Sequence, residues 1–196
     1  MRAVSRDGDG LDMTRPCIFA IPGDITLPTG GYAYDRELLK RLPAHGIDVR
    51  HLALPGSFPQ PTETDMAETG RLLLSEPYET MLLIDGLAYG AFPPSAAAGL
   101  AGRVIALVHH PLALETGLTL ECAAELAATE RANLGYAAHV ITSSDTTRDV
   151  LVSDYGVAGE HITVAVPGVA RVARASGSQA GEPLALLAVG SIVPRK

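Results

Sequence analysis

Along this chain, short apolar runs alternate with longer stretches in which apolar residues recur every three or four positions. The runs read as strands and the stretches as helices. The first strand is expected over Cys17–Ile21, closed by Pro22 and Gly23. A helix then begins near Gly31 and continues through Arg36–Leu42, with Leu38, Leu39 and Leu42 on one face. Ile47–Leu54 predicts a second strand, stopped by Pro55-Gly56, and Thr62–Ser75 a helix with Thr62 as N-cap. Thr80–Asp85 is an apolar third strand, and the Ala- and Gly-rich stretch Gly86–Gly102, interrupted by Pro93-Pro94, predicts a short broken helix. Arg103–Val108 predicts a fourth strand that runs into His109-His110-Pro111. Thr119–Asn133 reads as a long helix with Glu121, Glu125 and Glu130 turned outward. Ala138–Thr142 is the fifth strand, Ser143 or Ser144 caps a helix running to about Asp154, and Ile162–Val166 is the sixth strand, ended by Pro167-Gly168. The segment Arg171–Glu182 has linker composition, and Pro183–Gly190 reads as a strand again.

Strand and helix in strict alternation, with strands apolar on both faces, are the mark of an α/β fold. The expectation is a three-layer Rossmann-like parallel sheet with helices on both faces. With 196 residues the chain suits one large domain, or one and a fragment, at roughly 100–200 residues per domain. A core of that size needs no disulfide or metal staple. The 15 Lys+Arg against 22 Asp+Glu, a net charge of -7, argue against nucleic acid or an anionic membrane as partner. Three Phe, six Tyr and no Trp make a platform of stacked rings for sugars or bases unlikely to be present. Cys17 and Cys122 fit no metal spacing and read as small buried hydrophobes, a redox pair being the alternative. Residues 1–15 are polar, lack the apolar region of a signal peptide and read as a disordered leader. The longest apolar run near the end, Pro183–Val193, is too short to span a bilayer, and the expected location is cytoplasmic.

In a doubly wound sheet, ligands bind beyond the carboxyl ends of the strands, so the loops after strands carry the functional signal. After the first strand, Gly30-Gly31 at a helix start lets backbone approach a ligand; the alternative is a plain loop terminus. The loop holds neither G-x-G-x-x-G nor a Gly-Lys-Ser/Thr phosphate loop, which disfavours nucleotide cofactors of those kinds. Asp85, ending the third strand, is a candidate general base or hydroxyl binder, or else a helix cap. His109 and His110 point to opposite faces of an extended chain, so they do not share a metal. One of them can face the cleft and donate to a sugar hydroxyl or a phosphate. No Cys or His cluster occurs elsewhere, and no metal is expected. Thr142-Ser143-Ser144-Asp145 is explained by capping. A receiver-like signalling domain needs an acidic pair after the first strand, where only Asp24 stands.

Taken in order, Gly30-Gly31, His109, VITSSDTTRDVL, ITVAVPGV and the closing LLAVGSIVPRK resemble the amino-terminal half of a GT-B glycosyltransferase of retaining family 4. The resemblance covers about residues 16–196 and lies in the order and spacing of these pieces. It implies a Rossmann-like acceptor-side domain over 16–170, an interdomain linker over 171–183, and the first strand of a truncated donor-binding domain over 184–196. It also implies transfer of a sugar, with retention, from a nucleotide-sugar co-substrate to a small-molecule or glycan acceptor, without metal or other cofactor. Carried onto this chain, Gly30 and Gly31 match the glycine pair near the donor phosphates, and His109 the histidine that contacts the transferred sugar, with His110 as the alternative register. Arg195 and Lys196 match a stretch whose lysine offsets the donor diphosphate. Asp85 joins His109 as a catalytic candidate, and Tyr32, Ser143 and His110 are candidate contacts to acceptor or sugar.

Two positions depart from the family pattern. Ser191 stands where an arginine on the diphosphate is usual, and Gly168 follows Pro167 directly where Asn-Gly is usual. The family's Glu-x7-Glu element and base pocket belong to the partner domain expected in the parent protein, so the present chain alone is expected to be inactive. The alternative reading is a non-catalytic α/β module that binds a sugar or nucleotide.

Overall fold

The computed structural model describes residues 15–178, 181 and 183–187. Six strands form one sheet: β1 Cys17–Pro22, β2 Val49–Leu54, β3 Met81–Asp85, β4 Val104–Val108, β5 His139–Thr142 and β6 Ile162–Val164. The sheet order is β2-β1-β3-β4-β5-β6, and every neighbouring pair is parallel. Six helices connect or follow them: α1 Gly30–Arg41, α2 Glu63–Leu74, α3 Gly86–Tyr89, α4 Pro94–Ala98, α5 Leu120–Leu134 and α6 Asp145–Ser153. The fold is the three-layer Rossmann-like α/β arrangement expected from the alternation.

The two layers of helices follow from the two-residue period of the strands. In β1, Ile18 and Ala20 join a core packed against α2 to α6, with Leu73, Tyr89, Phe92, Leu134 and Leu151 among its buried members. Phe19 and Ile21 point the other way, with Leu83 and Leu107, against Tyr34, Leu38 and Leu39 of α1. All four consecutive residues Ile18–Ile21 are essentially inaccessible, which explains why the strand shows an unbroken apolar run. Each fully buried side chain of this kind contributes roughly 1.5–3 kcal/mol by leaving water.

The helix starts obey their caps. Thr29, Thr62, Thr119 and Ser144 each accept a hydrogen bond from the backbone N–H three residues on. Ser144, not Ser143, therefore caps α6. The expected broken helix over 86–102 is two short helices, separated where Pro93 precedes α4. Two expectations need correction. Glu130 does not turn outward: it is 1 % exposed on the inner face of α5, in line with the buried Asn133 and Leu134. Cys17 and Cys122 are free and only half-buried, so neither is sealed in the core. Residues 183–187 of the expected seventh strand are exposed irregular chain; its remainder and residues 1–14 of the leader expected over 1–15 lie outside the described residues, while Arg15 is held by the Tyr78 and Glu79 carbonyls. Among the described residues no helix is long and apolar enough to cross a membrane.

Candidate functional site

From β1 the chain passes to β2 on one side and then crosses to β3 on the other, which puts the topological switch point between β1 and β3. Strand parity decides which side chains gather above it. Asp85 has the parity of Leu83, and His109 that of Leu107, so both rise on the face covered by α1. Asp85 pairs in register with Leu107, which leaves His109 one pleat further along the neighbouring strand. The third member comes from α1. Gly31 and Asp35 lie four residues apart on the helix face turned to His109.

His109 Nε2 lies 3.1 Å from Asp35 Oδ1 and 3.9 Å from Asp85 Oδ2. Asp35 is sealed at 0 % exposure, and Asp85 is nearly so, but about a quarter of the imidazole reaches solvent. The edge of Tyr34 meets the ring at 5.2 Å between centroids. A Cβ on Gly31 would touch His109 Cδ2 at 3.5 Å, so the glycine leaves the space beside the ring open. A Cβ on Gly30 would meet nothing within 4 Å. The first N–H groups of a helix have no acceptor within it, so Gly30 and Gly31 offer theirs beside the imidazole.

The electrostatics follow from burial. Removal from water pushes the Asp85 carboxyl up to about 7; the Asp35 charge adds to this, while His109 and the Leu87 N–H oppose it. For His109, burial works against the charged ring, yet the hydrogen bond and charge of Asp35, with the charge of Asp85, hold it above the ordinary histidine value. The site therefore favours the charged form of the His109 ring and the protonated form of Asp85. Asp35 Oδ2 is buried without a donor of its own, and the negative charge of Asp35 helps raise Asp85. One atom each from Asp35, Asp85 and His109 lie within 4.8 Å of one another, the donor set a divalent cation would use. Such a cation would compete with the His109–Asp35 bond.

The surrounding loop is held by its own side chains. Asp24 Oδ1 accepts from the Thr26 N–H and hydroxyl, and Arg36 donates to the carbonyls of Ile25 and Leu27. Tyr32 donates its hydroxyl to the Pro22 carbonyl at 2.7 Å and covers Gly23.

The expected site residues divide accordingly. Gly31, Asp85 and His109 come together, with Gly30 and Tyr32 at the rim. Asp85 also caps α3, accepting from the Leu87 N–H, which is its capping reading. His110 is exposed and takes no part in the cluster, where His109 stands instead. Ser143 reaches the His109 carbonyl at 3.4 Å, not its ring. Arg195 and Lys196 lie outside the described residues. Sequence reading missed Asp35. Its signal was an acid one helical turn after Gly31, set beside the apolar stripe of Leu38 and Leu39 where the helix should bury only apolar groups. No known protein family and no curated protein matches the chain.

Proposed function

We propose that this chain is the acceptor-side domain of a retaining glycosyltransferase that moves a sugar from a nucleotide-sugar donor to a hydroxyl acceptor. The observation that carries the reading is one partly exposed imidazole at the switch point, held between two buried carboxyls and facing a helix that opens on two glycines. Glycosyl transfer asks this half of a cleft to orient the sugar and to offset the negative charge that builds on the departing diphosphate. Donors aimed at developing charge do both without moving.

In this reading His109 donates a hydrogen bond to the transferred sugar, and Asp35 keeps its ring charged and oriented. Asp85, raised to about 7, places less negative charge beneath the leaving phosphates than an ordinary aspartate would. The N–H groups of Gly30 and Gly31 meet the phosphates at the positive end of the α1 dipole. In this reading no covalent intermediate forms: the acceptor hydroxyl attacks C1 of the sugar from the face on which the C1–O bond to the diphosphate breaks, and its proton passes to the departing phosphate oxygen.

The test is turnover by the full-length protein on a panel of nucleotide sugars and small acceptors. His109→Ala is expected to lower the rate by ~10²–10³, the usual cost of one such donor, while the circular-dichroism spectrum stays unchanged. Turnover is expected to persist in EDTA. An unchanged rate in His109→Ala removes His109 from the mechanism. Loss of activity in EDTA, restored by a divalent cation, would turn Asp35, Asp85 and His109 into metal ligands instead.

A further inference from the structure

Glu130 is a buried acid that the site described above does not use. It comes from the inner face of α5, and its Oε2 accepts the backbone N–H of Leu112 at 3.0 Å. Tyr155, just beyond α6 and itself 6 % exposed, lies near the same carboxylate and favours its charged form, while Oε1 is buried without a hydrogen-bond partner. The fit is close: a Cβ on Gly90 would come within 2.8 Å of Leu112 Cδ1 and 3.1 Å of Glu130 Oε1. A glycine at position 90 thus lets α3, α5 and the loop after β4 converge on one carboxylate.

That loop carries His109. Thr142 Oγ1 fixes its start by donating to the Val108 carbonyl at 2.9 Å. Downstream, Pro111 has no N–H, so Leu112 offers the next backbone donor that can be anchored from outside the loop. Its partner is Glu130. A carboxyl oxygen can accept this bond whether or not the group is ionised, and burying such a group is costly unless its bonds are made.

We infer that Glu130 is a positioning residue for His109, acting through the Leu112 amide to fix the loop from which the imidazole meets Asp35. The inference rests on His109 being the working group of the site, but its test needs no substrate. In the isotope-labelled full chain, two quantities are followed: hydrogen exchange at the Leu112 amide and the pH midpoint of the His109 ring resonances. In Glu130→Leu the Leu112 amide should exchange at least tenfold faster, and the His109 midpoint should fall as its bond to Asp35 loosens. Amides of β1 and β3 should keep their protection. Glu130→Gln, which retains an acceptor oxygen, should restore most of both. Should Glu130→Leu fail to fold, Glu130→Ala carries the test: it removes the acceptor of the Leu112 N–H without placing a larger apolar group there, and should move both readouts in the same direction. A His109 midpoint that stays in place while Leu112 exchange quickens overturns the inference and leaves Glu130 a purely structural anchor. Failure of glycosyl transfer would show only in turnover and leave these readouts untouched.

Discussion

Two helices of this protein each bury an acid, and the two acids meet different fates. Asp35 of α1 faces an imidazole that is itself partly open to solvent. Glu130 of α5 faces a backbone N–H and a phenol, both closed off from water. Burial alone pushes the Glu130 carboxyl up to about 7, with the Leu112 N–H and Tyr155 opposing it. Asp35 instead lends its charge to keep a neighbouring ring protonated. The lesson is that burial of a carboxyl does not by itself mark a reactive site. What separates the two is whether the partner can also reach a ligand.

The sharpest way to break this comparison is to make the same isosteric change in both acids. Asp35→Asn in the full-length protein should cut turnover by ~10², the scale of losing an oriented charged donor, and lower the His109 midpoint, because burial then acts on the ring with less opposition. Glu130→Gln should move that midpoint far less. Equal shifts from both substitutions, read by nuclear magnetic resonance, would erase the distinction between a partner and an anchor.

The pH dependence of stability is the next largest effect. Asp85 and Glu130 both bind protons more tightly folded than unfolded, so between their unfolded values and about 7 the folded state holds the extra protons. Stability then falls as pH rises through that window, by up to roughly 3–4 kcal/mol for each acid. His109 has the same sign, since the stability from a raised histidine is present below its unfolded value and lost as pH rises through the folded one. Urea unfolding should therefore show the chain more stable at pH 5.5 than at pH 8. Asp85→Asn and Glu130→Gln should each flatten the slope. A stability that rises over this range would mean that neither acid holds its proton.

Gly31→Ala should have the smallest effect on the fold and an opposite one on the site. The new methyl finds ordinary contact distance to the His109 ring, and alanine is favoured over glycine in a helix by up to ~1 kcal/mol. Thermal unfolding should show a small gain in stability while turnover of the full-length protein drops. A gain in both would show that Gly31 is only a helix start.

Much of the architecture was legible because strands buried on both faces must be apolar throughout and helix starts need capping side chains. Thr62 and the run Cys17–Ile21 are cases where local chemistry and tertiary need agree. The meeting of Asp85 with His109 was half legible: each stood at a strand end, but their shared face depends on the β3–β4 register, which no single segment encodes. Asp35 and Glu130 were hidden for a common reason. An acid in a helix reads as a solvated residue unless a partner far along the chain claims it, and those partners are 74 and 18 residues away. The choice between His109 and His110 likewise waited for the position of α1.

One contact gives the site a mechanical link. Tyr34 sets its ring edge against His109 and donates its hydroxyl to the Ala165 carbonyl at 2.9 Å, at the point where the chain leaves β6. It is a strut with one end at the imidazole and the other at the exit of the sheet. A pull on the segment beyond Val164 travels through one rigid side chain to the ring. Tyr34→Phe would cut the strut at its hydroxyl and leave the ring contact standing, so that strain applied at the exit no longer registers in the His109 resonances.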